Sequence, residues 1–192
     1  WSTEYRSTRM KDGRMVRPVV ANCCNFGLPT PEQPALLGLD DVETMFHELG
    51  HGLNAILSQI RYASLGNIPR DFVELPSQIM ENWATEPEVL QSYAKHYQTG
   101  ETIPLELVEK IRQARRFNQG FVTVEYLAAS YLDMDWHTLA EPKAPDAPAF
   151  ERATMERIGL PRMIETRYRT PFFRHVFSGG YSSGYYAYIW AE

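Results

Sequence analysis

The sequence predicts a mainly helical protein with a small β-sheet, which is an α+β fold class. Apolar residues recur at helical spacing over 42–57 and form one stripe, as in an amphipathic helix. An Asp12-Gly13 pair between two β-rich stretches is typical of a hairpin turn. Because 44% of the 192 residues are hydrophobic and 22% are charged, we expect an ordinary globular composition with a packed core.

The N-terminal region is predicted to be a hairpin followed by a loop. Residues 2–10 and 14–26 form the two strands, and residues 11–13 form the turn. Pro18 favours an edge position, because proline cannot donate to the ladder. Such an edge could pair with an extended peptide, although a purely structural hairpin is an equally good interpretation. The prolines of 28–39 then indicate a loop.

Helices are predicted over most of the remaining chain. Asp40 or Asp41 caps the first helix, which ends near Ser58. The further predicted segments are helices over 71–85, 87–97 and 104–139, a linker over 141–148, a short helix, and a glycine- and tyrosine-rich stretch at 177–188.

The composition argues against several classes of partner. A net charge of -5 provides no basic surface, so we expect no nucleic-acid partner. We also expect no membrane span, because no run of 18 or more apolar residues is present. Cys23 and Cys24 are adjacent and unsuited to a disulfide framework, which fits a reducing compartment. We therefore expect a cytoplasmic location, with the periplasm as the alternative.

Both ends of the chain look cut. It begins at Trp1 without an initiator Met, and it stops inside 185–192, which we interpret as an unfinished helix. A signal peptide cannot be judged from such a start. We expect residues 1–192 to be one incomplete piece of a longer catalytic core, without its N-terminal helical region and its C-terminal end.

The clearest chemical motif is the run His47-Glu48-Leu49-Gly50-His51, which matches H-E-x-x-H. Two histidines at i and i+4 share one helix face, so both imidazoles can reach one metal ion. Glu48 is turned by about 100° from His47 and lies beside that ion, where it can hold and deprotonate a water. Zinc suits this arrangement, because it binds nitrogen and oxygen and polarises a carbonyl. Gly50 would remove bulk near the metal.

A catalytic zinc needs a third protein ligand, which the spacing alone does not decide. A metzincin would place a histidine six residues after His51, but that position is Leu57. The alternative is a carboxylate on a second, packed helix. Glu74, Glu81 and Asp71 compete for this role, with Glu74 only modestly favoured.

Several runs of the sequence resemble the thimet-oligopeptidase family of zinc metallopeptidases. The similarity covers essentially the whole chain and is greatest to the bacterial peptidyl-dipeptidase branch of that family. The matching runs are 41–51, which contains the zinc motif, 70–83, the tail 175–188, and the shorter runs 19–26, 34–37 and 131–137.

The resemblance implies a zincin-like catalytic core with one Zn²⁺ per chain. Glu74 would be the third zinc ligand beside His47 and His51, and Glu48 would be the general base. Enzymes of this family are much longer, and two helical halves enclose a channel that admits only short peptides. We therefore expect short peptides as partners and a monomeric full-length enzyme.

The resemblance also implies that the glycine- and tyrosine-rich tail lines the substrate site. The residues expected to act in catalysis are His175, Tyr181 and Tyr188, and those expected to bind substrate are Tyr185, Gly179 and Gly180. Tyrosine hydroxyls can donate to a developing oxyanion, and glycines would let the loop move. By pattern alone, structural aromatics would be the better interpretation of these tyrosines.

Together these features predict a zinc metallopeptidase that hydrolyses short oligopeptides. We expect release of C-terminal dipeptides by attack of a zinc-bound water, with Glu48 as general base. An endo-acting oligopeptidase of the same family is the alternative. A third interpretation is an inactive zinc- or peptide-binding module, against which Glu48 argues because a closed structural site needs no base.

Overall fold

The computed structural model describes residues 1–141 and 146–192, and it has the predicted mainly helical fold with a small β part. The strands are β1 (Ser2–Arg6), β2 (Arg9–Lys11), β3 (Arg14–Val16) and β4 (Val19–Asn22). The helices are α1 (Leu39–Leu57), α2 (Leu75–Ala84), α3 (Pro87–Tyr93), α4 (Leu105–Ala114), α5 (Gln119–His137), α6 (Ala147–Arg157), α7 (Arg174–Phe177) and α8 (Ala187–Ala191). Within those ranges, no helix is both long and apolar enough to cross a membrane.

The chain divides into two compact units, of which the first comprises residues 1–114 with 191–192 and the second residues 115–190. In the first unit, α1 packs against α2 and against the strands β1 and β4. In the second unit, α5 packs against α6. Each unit therefore packs around one 19-residue helix, which is α1 in the first unit and α5 in the second.

The predicted N-terminal hairpin is confirmed, but it consists of two short ladders. β2 and β3 pair antiparallel around Asp12 and Gly13, whose φ angles of 50° and 75° suit a two-residue hairpin turn. β1 and β4 also pair antiparallel, with a register shift between Glu4 and Arg6. Pro18 lies between the two ladders, where its missing N–H interrupts no pair.

Helix α1 begins earlier than the sequence suggested. Its N-cap is Gly38, not Asp40 or Asp41 as predicted. The Asp41 carboxylate accepts a hydrogen bond from Gly38 N at 3.0 Å, so this acid acts from inside the first turn. Both aspartates lie in that turn, where negative charge favours the helix dipole.

The single long helix predicted over 104–139 is wrong, because the structure has α4 and α5 in that range. Asn118, the N-cap of α5, has a φ of 57°, a left-handed conformation that a continuous helix cannot contain. Asparagine tolerates this conformation better than most residues, but none of residues 115–118 between the two helices is a glycine or a proline. The helices predicted over 71–85 and 87–97 are present as the shorter α2 and α3. The predicted linker over 141–148 lies partly outside the described residues, and α6 begins at Ala147.

The core of the second unit is largely aromatic. Its buried members are Ala129, Phe173, Val176 and Tyr185, and the partly buried residues around them are Tyr126, Tyr168, Tyr181 and Tyr188. Ala129 is a small residue in the middle of α5, so the rings can approach this helix closely. The tail of the chain is therefore packed onto α5.

Candidate metal centre

Three potential metal ligands come together where α1 packs against the start of α2. His47 and His51 lie one turn apart on α1, with ring centroids 4.9 Å apart. Glu74 Oε2 lies 3.3 Å from His47 Nε2 and 3.4 Å from His51 Nε2. One donor atom from each of the three side chains lies within 4.8 Å of the others. Among the described residues, this is the one group of histidine, cysteine and acidic side chains with such a spacing.

The donor set fits a zinc ion. Ligand atoms about 2.0–2.1 Å from a tetrahedral zinc ion lie about 3.3–3.4 Å from one another. The separations of 3.3 and 3.4 Å from Glu74 to the two imidazoles agree with that geometry. Two imidazole nitrogens and one carboxylate oxygen also match a catalytic zinc site, which keeps one position for water or substrate.

The fold holds Glu74 in place before any metal arrives. Glu74 is the N-cap residue of α2 and is only 2% exposed. The Ser77 hydroxyl lies 3.0 Å from Glu74 Oε2 and 2.7 Å from the Glu74 backbone oxygen, so it can donate to either. A buried carboxylate needs such partners, since its unpaired charge would be costly. Of the three carboxylates that competed on spacing, Glu74 is the one beside both histidines.

Glu81 contacts the other side of the His47 ring. Its Oε1 lies 2.6 Å from His47 Nδ1. A carboxylate at this nitrogen leaves Nε2 free to face a metal and makes the imidazole a stronger ligand. Burial would lower the pKa of His47, but hydrogen bonds to Glu74 and Glu81 outweigh it and raise the pKa to about 9. A metal ion must therefore displace a proton from this ring.

Glu48, the expected base, has one carboxylate oxygen with no partner. The residue is 9% exposed, and within residues 1–141 and 146–192 no group makes a hydrogen bond to Oε2. Its other oxygen, Oε1, lies 3.1 Å from the backbone nitrogen of Trp1, next to the start of β1. A buried acceptor without a donor is unusual, and at a functional site it suits a ligand or water that the site is built to receive.

Gly50 has a role that the sequence analysis missed. The interpretation that it removes bulk near the metal is replaced by a contact between helices. A Cβ atom at Gly50 would lie 2.4 Å from Pro76 O and 2.6 Å from Ser77 Cα. Real Cβ atoms do not approach backbone this closely, so only glycine allows α1 to touch the first turn of α2. That first turn carries Glu74, and Gly50 therefore sets the distance between Glu74 and the two histidines.

Replacement Gly50→Ala is expected to weaken zinc binding by roughly 10–100-fold, because α2 must move and take Glu74 with it. The same clash should lower the free energy of unfolding by about 1–3 kcal/mol. Zinc affinity measured by competition with a chromophoric chelator would test the first effect, and chemical denaturation the second.

Gly52→Ala is the matched control on the same helix. A Cβ atom at Gly52 would have its nearest neighbour, Val20 Cγ1, at an ordinary 3.7 Å. Alanine favours helix over glycine by about 1 kcal/mol, so this variant should be as stable as the parent or more so, with unchanged zinc affinity. Equal zinc affinities for the two variants would contradict the role assigned to Gly50.

The second unit brings the predicted tail residues into one aromatic cluster. The rings of Tyr181 and Tyr188 stack with centroids 5.5 Å apart. The His175 ring lies 6.3 Å from Tyr181, 6.5 Å from Tyr188 and 5.6 Å from Tyr185. Tyr181, Tyr188 and His175 are partly exposed, so each could meet a ligand. Their catalytic roles stay predictions.

Tyr185 and the two glycines have clear structural roles as well. Tyr185 is 3% exposed and belongs to the buried core, and its burial raises the pKa of its phenol. Gly180 has a φ of 85°, a conformation that favours glycine, at the turn after α7. A Cβ atom at Gly179 would lie 2.9 Å from the His175 backbone. Substrate binding by these three residues stays a prediction. Their positions favour a structural role, in which they support the aromatic cluster.

Comparison with known proteins identifies a peptidase family and relatives that are named as peptidases. The model of the family described as "Peptidase family M3" matches residues 1–192. The chain is 49% identical over 180 residues to the dipeptidyl carboxypeptidase of Escherichia coli, which covers 91% of this chain and 26% of the relative. It is 40% identical over 186 residues to organellar oligopeptidase A of Arabidopsis thaliana, covering 94% and 23%. It is 38% identical over 188 residues to oligopeptidase A of E. coli, covering 96% and 28%.

The chain therefore spans about a quarter of the length of the relatives it matches. The similarity extends over nearly all of the chain, so it includes the H-E-x-x-H helix, the start of α2 and the tyrosine-rich tail. The resemblance drawn from the sequence motifs is confirmed.

Proposed function

This chain belongs to peptidase family M3, and we propose that it forms the zinc-binding catalytic part of a metallopeptidase that hydrolyses short oligopeptides. The observation that carries the proposal is the position of Glu74 Oε2, 3.3 and 3.4 Å from the two histidine nitrogens. That spacing suits one tetrahedral zinc ion bound by His47, His51 and Glu74.

The chemistry follows from the residues around that position. A zinc ion held there would lower the pKa of a water ligand to about 7 and polarise the scissile carbonyl. Glu48 accepts a proton from the attacking water through Oε2, the oxygen that has no hydrogen-bond partner within the described residues, and passes it to the departing amine. Glu81 keeps the His47 ring oriented through its 2.6 Å contact with Nδ1. In the tail, Tyr188, with Tyr181 and His175, donates to the developing oxyanion of the substrate.

Dipeptide release is the specific activity that we propose. It is supported by the 49% identity to a protein named dipeptidyl carboxypeptidase. An endo-acting oligopeptidase is the second candidate, because other relatives carry the name oligopeptidase A at 38–40% identity. Short peptides are the partners we propose in either case, and the intact enzyme would act as a monomer.

A digest of defined peptides by the intact enzyme distinguishes these activities. The substrates are peptides of about six to ten residues, each with a free or an amidated C-terminus, and mass spectrometry identifies the fragments. We expect successive losses of C-terminal dipeptides, blocked by a zinc chelator and restored by added zinc. Internal cleavage that ignores the C-terminus would favour the oligopeptidase, and chelator-resistant or absent hydrolysis would contradict a zinc peptidase.

A further inference from the structure

Asp133 on α5 is a buried carboxylate that the proposed chemistry does not use. Its side chain is 1% exposed. Oδ1 accepts a hydrogen bond from Ser183 N at 3.0 Å, and Oδ2 accepts one from Tyr185 N at 2.9 Å. His137, one turn later on the same helix, places Nδ1 2.8 Å from Oδ1. Both oxygens of this carboxylate are thus engaged, and two of its three partners belong to the tail.

A second side chain of α5 contacts the same part of the tail. Tyr126 lies two turns before Asp133 on the same helix face, and its hydroxyl donates to the Tyr185 backbone oxygen. Burial raises the pKa of Tyr126 to about 12, so the hydroxyl keeps its proton near neutral pH. The backbone of Tyr185 is therefore held by α5 at its N–H and at its carbonyl.

The turn that Asp133 holds is conformationally unfavourable. Ser183 has a φ of 54°, in the left-handed region that side chains other than glycine rarely adopt. Such a conformation persists where its surroundings determine it. Gly184 N donates to Tyr181 O at 2.8 Å within the turn, and Asp133 adds an acceptor at Ser183 N. Hydrogen bonds to an ionised carboxylate are stronger than neutral ones, so Asp133 makes a large contribution to this turn.

We propose that Asp133 is a positioning residue, which fixes the turn 181–185 and through it the side chains of Tyr181 and Tyr188. The Tyr188 ring lies 5.5 Å from both Tyr181 and Tyr185, so a shift of the Tyr185 backbone reaches the whole stack. The inference rests on the proposed function, in which the hydroxyls of Tyr181 and Tyr188 contact the substrate. It predicts that turnover depends on a carboxylate that touches neither substrate nor metal.

The test compares Asp133→Asn with the parent in the intact enzyme. Asparagine has the same shape, but its amide nitrogen cannot accept a hydrogen bond. Whichever way the amide turns, its NH₂ group therefore takes the place of one acceptor oxygen. It faces either Ser183 N and His137, or Tyr185 N. We expect kcat to fall roughly 10–100-fold, KM to change less than about threefold, and zinc content to stay the same. Amide exchange at Ser183 and Tyr185 should become faster.

Asp135→Asn is the control, because Asp135 contacts Thr154 and Arg157 of α6 instead.

A double-mutant cycle separates positioning from general destabilisation. If Asp133 acts through the hydroxyls of Tyr181 and Tyr188, adding Asp133→Asn to the double variant Tyr181→Phe/Tyr188→Phe should lower kcat by less than about threefold. Losses in kcat that multiply would overturn the proposal, as would a rise in KM with kcat unchanged. If Asp133→Asn does not fold, His137→Gln is measured in the same cycle. A smaller loss that again disappears beside Tyr181→Phe/Tyr188→Phe supports the proposal, and a loss that persists there overturns it.

The amide-exchange measurement keeps this proposal distinct from the proposed function. If Tyr188→Phe alone leaves kcat unchanged, the oxyanion role of Tyr188 fails. Exchange at Ser183 and Tyr185 then decides separately whether Asp133 holds the turn. Faster exchange in Asp133→Asn supports this role, and unchanged exchange overturns it.

Discussion

Glu48→Gln should retain zinc and lose about 10²–10⁴-fold in kcat, the largest effect that we expect from a single substitution. Glutamine keeps the shape of the side chain but cannot take a proton from water. The residue follows His47 directly on α1, and its Oε2 is buried without a partner among the described residues. Removal of the base therefore leaves the ligands intact while the attacking water stays protonated. Steady-state kinetics together with zinc analysis of the purified variant would measure both properties.

The zinc content of Glu48→Gln is the internal control for that result. Full zinc occupancy with lost activity assigns the defect to proton transfer. Activity within about tenfold of the parent, at full zinc occupancy, would remove Glu48 from the role of base.

Tyr188→Phe is expected to lower kcat by roughly 10²–10³-fold with little change in KM. The substitution removes one hydroxyl and leaves the ring, so the stack with Tyr181 at 5.5 Å should persist. A donor used only when charge develops on the substrate oxygen affects kcat and not ground-state binding. Steady-state kinetics on one short peptide would give both constants.

Tyr186→Phe is the matched control in the same segment. Tyr186 is 39% exposed and has no assigned part in the chemistry, so its variant should keep kcat within about threefold. If Tyr188→Phe raises KM alone, Tyr188 is a substrate-binding residue and the oxyanion role passes to Tyr181 or His175. Equal losses in both variants would indicate disturbance of the tail as a whole.

The sequence predicted the parts of the site that depend on local geometry. His47, Glu48 and His51 lie within one helical turn and a half, so the period of the helix alone relates their side chains. Glu74 could not be assigned by spacing against Asp71 and Glu81, because its distance from the histidines depends on how α2 packs on α1. The family resemblance supplied that choice, and the structure shows the packing that underlies it.

Features that depend on long-range packing were missed. The sequence showed only that Gly50 lies within a helix. Glycine is required there because the Pro76 backbone of another helix approaches too closely for a side chain. The break at Asn118 also escaped prediction, since asparagine in a left-handed conformation has no periodic signature. Asp133 lies in the run 131–137 that carries the family resemblance, but its role gave no signal in the sequence. Its partners Ser183 and Tyr185 lie about 50 residues further along the chain.

The zinc content of ligand variants tests the central claim, that one ion is bound by His47, His51 and Glu74. The intact enzyme, Glu74→Gln and the control Asp71→Asn are equilibrated at the same free zinc concentration, and bound zinc is measured by atomic emission. We predict one zinc per chain for the parent and for Asp71→Asn, and an affinity at least about 100-fold lower for Glu74→Gln. Full zinc occupancy in Glu74→Gln, with loss in Asp71→Asn instead, would contradict the account.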